Sequence, residues 1–233
     1  MIRVLPLMII IITTIMCRNA KSPLEEQSDS PSLPKTILCL GDSYTIGQSV
    51  SEAERWPNQL ARSLGLDGYS VAAPKLIART GWTTAELLSA ILANPPDSTD
   101  DLVTLLIGVN DQYRGLSIDL YRQGFSKLLS LAIQFARNDP ERVIVLSIPD
   151  YSVTPFARQA DTVRIRQELD QFNALNRQLS VAAGAFYIDI TPISRKARQD
   201  INYLASDGLH PSGKMYAEWV ELILPVAKKI LSQ

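Results

Sequence analysis

Apolar positions recur along this chain in two alternating patterns. Short runs that are apolar almost without a break, Leu38–Leu40, Leu102–Ile107, Val143–Ile148 and Phe186–Ile190, read as strands buried on both faces, with Tyr69–Ala72 as a shorter one. Longer segments between them carry apolar residues at helical spacing. Ala53–Leu64 has Trp56, Leu60 and Leu64 on one side, and a helix capped by Thr83 or Thr84 carries Leu87, Leu88, Ile91 and Leu92. Ile118–Ala136 is amphipathic and stops before Asn138-Asp139-Pro140. Asp161–Ala183 aligns Ile165, Leu169, Phe172, Leu175 and Leu179, and Ser212–Leu231 is the last helix. Strands that alternate with helices predict an α/β fold, a three-layer α/β/α sandwich with a central, mostly parallel five-stranded sheet.

The first 34 residues do not share this pattern. Arg3 precedes the apolar stretch Val4–Met16, which has signal-peptide length and falls short of the ~20 residues that span a bilayer. Residues 1–20 therefore read as a signal peptide or lipoprotein leader, with Cys17 as the lipidation position and thus a membrane tether. The sequence around Cys17 departs from the lipoprotein pattern, because Thr14 and Met16 stand where Leu and a small residue are preferred. Residues 21–34 are rich in Ser, Pro and acid and read as a flexible tether, leaving 35–233 as one domain. Export to the periplasm or cell envelope is the expected destination.

Composition narrows the classes of function. With 46% apolar and 20% charged residues and a formal net charge of −1, the chain is globular and has no basic stripe for nucleic acid. No Cys/His cluster has metal-ligand spacing, and neither a metal nor an organic cofactor is expected. Of the two cysteines, Cys39 falls in the first strand and reads as a small core residue.

In an open parallel sheet the working groups gather beyond the carboxyl ends of the strands. The first strand leads into Gly41-Asp42-Ser43-Tyr44-Thr45, and the only histidine, His210, stands in Asp207-Gly208-Leu209-His210 after the last. A serine hydroxyl needs a base to become a nucleophile, and imidazole suits that task near neutral pH. An acid three residues before the histidine can orient the ring, completing a Ser43, His210 and Asp207 set. Trp82, Tyr113, Arg114, Asp150 and Tyr151 also follow strands and are candidates for a substrate pocket.

Two further segments, Arg79-Thr80-Gly81-Trp82 and Gly108-Val109-Asn110-Asp111, join these to make four blocks in order. Together they resemble the SGNH (GDSL-type) hydrolase superfamily, which includes the lysophospholipase-L1-like esterases, over about Lys35 to Leu231. The resemblance implies a flavodoxin-like SGNH fold and serine-dependent hydrolysis of a lipid, glycan or small-molecule ester through an acyl-enzyme. It also implies an oxyanion hole made by the Ser43 and Gly81 backbone N–H groups and the Asn110 side chain. The surroundings of Ser43 lack the Gly-x-Ser-x-Gly elbow of the α/β-hydrolases. Asp111 is expected to order its loop, and Asn110 could alternatively stabilise its own turn through an Asx bond. Three other readings stay open: an acyltransferase using the same site, a binding protein that has lost catalysis, and a flavodoxin-like module holding a phosphate or flavin at Ser43-Tyr44-Thr45.

Overall fold

Five short strands, β1 (Ile37–Gly41), β2 (Lys75–Ala78), β3 (Leu102–Leu106), β4 (Val143–Leu146) and β5 (Phe186–Ile188), pair side by side in the order β2-β1-β3-β4-β5. Every pairing is parallel, with Leu40 lying between Ile77 and Leu105. This computed structural model describes Met1–Ile2 and Leu33–Gln233; the rest of the leader, Cys17 included, and nearly all of the tether lie outside the described residues. Central strands β1, β3 and β4 are buried along their whole length, which is why they carry unbroken apolar runs.

Among the described residues, eight α-helices surround the sheet: α1 (Ser43–Ile46), α2 (Trp56–Leu66), α3 (Thr84–Ala93), α4 (Val109–Tyr113), α5 (Ile118–Phe135), α6 (Thr162–Ala182), α7 (Thr191–Ser194) and α8 (Gly213–Leu231). Helices α2 and α8 pack on each other in one layer, and α3, α5 and α6 form the other. The long helices begin where a side chain can meet their free N–H groups. Ser117, Asp161 and Ser212 cap α5, α6 and α8, and Thr83 caps α3 in a reciprocal box with Glu86.

Two elements and one residue differ from the sequence expectation. The second strand is Lys75–Ala78, not Tyr69–Ala72; Val71 makes only a single bridge, to Lys35. Pro74 lacks a backbone N–H, so the ladder starts after it, and an edge strand that is half exposed has no continuous apolar run to mark it. The helix expected from Ala53 begins at Trp56, because Arg55 is extended between a 3₁₀ turn (Glu52–Glu54) and α2. Pro57 fits the first turn of a helix, where its missing N–H costs no bond. Leu92, expected on the apolar face of α3, is exposed, whereas Leu87 and Ile91 are buried. Cys39 is a buried core residue in β1, and burial pushes its thiol up to about 12, far from reactive.

Because the chain leaves β1 toward β2 and then returns past it to β3, the strand order reverses between β1 and β3. A crevice opens there, beyond the carboxyl ends of the strands.

Candidate active site

Ser43 sits at the mouth of that crevice, as the first residue of the single-turn helix α1 directly after β1. The turn is held from both ends. Asp42 accepts the Tyr44 N–H at 3.0 Å as N-cap, and Gly47 closes the helix in the left-handed region at φ +70°. From across the chain, the Tyr216 hydroxyl of α8 donates to the Tyr44 carbonyl at 3.0 Å. Ser43 is thereby fixed by backbone rather than by its own side chain. Its Oγ has no hydrogen-bond partner among the described residues and opens on a cavity that it shares with His210.

His210 arrives from the long connection after β5. Its Nδ1 lies 2.6 Å from Asp207 Oδ2, which leaves Nε2 as the ring nitrogen without a protein partner among the described residues. The carboxylate is itself well held. Its Oδ1 accepts the backbone N–H groups of Leu209 at 2.9 Å and His210 at 3.0 Å, and Oδ2 also accepts the Ser49 hydroxyl at 2.6 Å. Burial pushes the Asp207 carboxyl up, but the bonds from Ser49, His210 and the backbone outweigh it and hold it well below the usual carboxylate range. Asp207 is therefore a fixed negative charge behind the imidazole. The Tyr44 ring lies 5.6 Å from the imidazole, tilted against it.

The third wall carries unspent donors. Arg79–Trp82 forms a tight turn closed by the Trp82 N–H on the Arg79 carbonyl, with Gly81 third at φ +84°, a conformation that favours glycine. Among the described residues the backbone N–H groups of Ser43 and Gly81 donate to no protein acceptor. Asn110, in the first turn of α4, donates one amide hydrogen to the Trp82 carbonyl at 2.9 Å. Its Oδ1 accepts no hydrogen bond among the described residues, so no Asx bond is present there. Gly108 begins α4 at φ +129°, where a Cβ would meet the Tyr121 ring at 2.6 Å. Asp111 orders the loop as expected, accepting the Thr84 N–H at 2.9 Å and the Thr84 hydroxyl at 2.6 Å and so tying α4 to the start of α3.

The structure thus brings Ser43, Gly81, Asn110, Tyr113, Tyr151 and His210 to one cavity, with Asp207 behind His210. It does not bring Trp82, Arg114 or Asp150 into the lining. Trp82 packs on the core, and its contribution is its carbonyl. Arg114 turns back to the Gly81 carbonyl at 2.5 Å and pairs with Glu86 at 3.2 Å, satisfied by a short loop of its own. Asp150 is buried in an ion pair with Arg195 at 2.8 Å and caps the 3₁₀ turn that starts at Tyr151. Sequence reasoning missed Ser49 and Phe156. Ser49 follows the Gly41-Asp42-Ser43 block without any motif, and Phe156 lies five residues beyond the last position read as a pocket candidate.

A parallel sheet in this order, with a serine, an Asp-His pair and free backbone donors at its reversal point, defines a flavodoxin-like α/β fold bearing the furniture of acyl transfer. Residues 39–218 match the GDSL-like lipase/acylhydrolase family, and the chain belongs to it: an ester-hydrolysing enzyme of the SGNH/GDSL superfamily. Among solved structures it is similar to a psychrotrophic esterase from Pseudoalteromonas sp., crystallised inhibited by monoethylphosphonate. That likeness has 17% identity and a TM-score of 0.63, over 85% of this chain and 100% of that one. A GDSL-like lipase from Bacteroides thetaiotaomicron matches at 19% identity and TM-score 0.64, over 84% of this chain and 88% of that one. An acetyl xylan esterase from Geobacillus stearothermophilus matches at 16% identity and TM-score 0.60, over 83% and 94%. At such identities the likeness establishes the fold. No curated protein matches the chain.

Proposed function

We propose that this enzyme hydrolyses a carboxylic ester through an acyl-enzyme on Ser43. His210 Nε2 takes the hydroxyl proton as Ser43 Oγ attacks the ester carbonyl carbon, and Asp207 stabilises the imidazolium that results. The carbonyl oxygen becomes an oxyanion, received by the N–H groups of Ser43 and Gly81 and by the amide hydrogen that Asn110 does not spend on Trp82. Collapse of the intermediate breaks the bond to the alcohol, which leaves with the proton from His210. Water then attacks the acyl-enzyme by the same steps in reverse order of roles, releasing the acid and restoring Ser43.

One observation carries this reading. His210, held by Asp207 at 2.6 Å, lines one cavity with Ser43 and with backbone donors that have no acceptor among the described residues. A phosphate- or flavin-binding module would leave that pair unexplained. The apolar leader with Cys17 supports export and a lipid tether, so that the enzyme would work in the cell envelope.

The test is turnover of a simple ester by purified variants. Ser43→Ala and His210→Ala each lose on the order of 10⁴ or more, because the members act as a unit, and Asp207→Asn loses less than either. Asn110→Ala loses roughly 10²–10³ in kcat at nearly unchanged KM, as expected of a donor that acts in the transition state. An ethyl phosphonate ester carrying p-nitrophenolate as leaving group should phosphonylate Ser43 with release of p-nitrophenol and should not label Ser43→Ala; an esterase of similar fold has been crystallised inhibited by monoethylphosphonate. Parent-like turnover by Ser43→Ala overturns the proposal.

A further inference from the structure

Three aromatic rings stand along one side of the cavity. Tyr113 ends α4, Tyr151 opens the 3₁₀ turn after β4, and Phe156 lies in the next such turn, Pro155–Ala157. Their centroids form a near-regular triangle, with Tyr113 6.2 Å from Tyr151 and 5.9 Å from Phe156, and Tyr151 6.3 Å from Phe156. These are normal separations for packed rings, so the three form one surface rather than three separate side chains. Tyr151 is buried and serves as its floor. Tyr113 and Phe156 are 58% and 51% exposed, and both line the cavity that holds Ser43 and His210. Large apolar groups left in water beside a reactive serine are an uncovered contact surface.

The electrostatics of the lining are equally specific. Besides His210, the ionisable groups there are the tyrosines 44, 113 and 151, and burial pushes the Tyr151 phenol up to about 12, so it remains neutral. Two charged residues next to lining positions are already paired: Arg114 with Glu86, and Asp150 with Arg195 and Arg166. Among the described residues, no Lys or Arg lines the cavity to meet a phosphate or carboxylate on the substrate. The cavity is also small, about 130 Å³, against the roughly 300–1,000 Å³ of sites that enclose drug-sized ligands.

We infer that the substrate is a small neutral ester, and that its apolar arm, of a few carbons or one ring, packs against Tyr113 and Phe156. This rests on the proposed ester chemistry at Ser43 and adds its substrate class. A long acyl chain would run out of the cavity into water, and an anionic headgroup would lose its hydration without a counter-charge.

The experiment uses two ester series with the purified enzyme. In one, methyl esters carry acyl chains from two to twelve carbons; in the other, acetates carry alcohols from one to eight carbons. One series should show kcat/KM rising about fourfold per methylene, the value of burying each one, and levelling within about five carbons. Phe156→Ala and the Tyr113→Ala, Phe156→Ala pair should flatten that rise, so that the loss grows from about twofold at the shortest member to roughly fiftyfold at the plateau. Both residues are half exposed, so circular dichroism should report an intact fold. A monoacyl phospholipid should be turned over more slowly than the best neutral ester. The inference is overturned if the variants lose equally along both series, if neither series shows a rise, or if the long chain or the phospholipid is preferred. Ser43→Ala in the same assay separates the two levels: turnover by that variant would sink the ester chemistry itself, whereas an inactive Ser43→Ala beside unchanged chain-length profiles would sink only the aromatic arm site.

Discussion

Ser49 is the residue whose place in the molecule most exceeds what its position in the chain suggests. It holds φ +68°, a conformation unfavourable for a side chain other than Gly, Asn or Asp, and its hydroxyl reaches Asp207 at 2.6 Å. It therefore links the segment that carries Ser43 to the turn that carries His210. Replacing it separates two effects. Ser49→Gly removes the hydroxyl and relieves the backbone, whereas Ser49→Ala removes the hydroxyl alone. Both should lower kcat/KM by about fivefold, the worth of roughly 1 kcal/mol of hydrogen bonding, while only Ser49→Ala lowers the melting temperature. Thermal melts and initial rates on the same samples check this. An activity loss confined to Ser49→Ala would make the bond a matter of stability and not of positioning Asp207.

At the scale of elements, the site is an arrangement of helix starts. Helix α1 presents Ser43, α4 presents Asn110, and α3 begins just after the Gly81 turn, anchored by Thr83 and Glu86. The Glu86 carboxylate accepts the Thr83 N–H at 2.8 Å and the Thr83 hydroxyl at 2.9 Å, and the same glutamate holds Arg114, which in turn grips the Gly81 carbonyl. Loss of a cap of this kind costs about 1 kcal/mol, which in a domain of this size lowers the melting temperature by roughly 2–4 °C. Thr83→Ala should show that shift by calorimetry. Thr83→Ser, which keeps the hydroxyl, should recover most of it; failure to recover would assign the loss to the buried methyl group instead.

For the whole molecule, two carboxyl groups near Ser43 set opposite pH dependences. Asp42 is fully buried, and burial pushes its carboxyl from 3.8 up to about 8, with the Tyr44 N–H only partly opposing. The unfolded chain releases that proton near 3.8, but the folded protein retains it to about 8. Stability from this group therefore falls as pH rises through that window. Asp207 works the other way: its carboxyl is held low, so its stabilisation is present above the ordinary carboxylate range and is lost as pH falls. Asp42→Asn keeps an acceptor for the Tyr44 N–H without the charge. Its melting temperature should match the parent near pH 4 and exceed it increasingly toward pH 8. A difference that stays constant with pH would mean that Asp42 is ionised in the folded enzyme.

The order of strands and helices was legible in the chain because it follows from local physics, whereas the Gly81 and Asn110 segments were marked by the resemblance to a known family. Buried parallel strands must be apolar throughout, long helices must show one apolar stripe, and Gly41, Gly81 and Gly108 mark backbone where a side chain would strain or collide. Ser43, Asp207 and His210 could be grouped because few residue types can activate a hydroxyl and this chain has one imidazole. The edge strand after Pro74 was not legible, because half-exposed backbone needs no apolar run. Nor was the distinction between Tyr113, which joins the cavity, and its neighbour Arg114, which turns away to Glu86. Ser49 and Phe156 entered only through contacts made across 158 residues to Asp207 and across a loop to Tyr113. Local sequence dictates which face of an element is apolar; which loops meet, and so what an exposed polar or aromatic side chain touches, is decided only when the sheet brings their strands together.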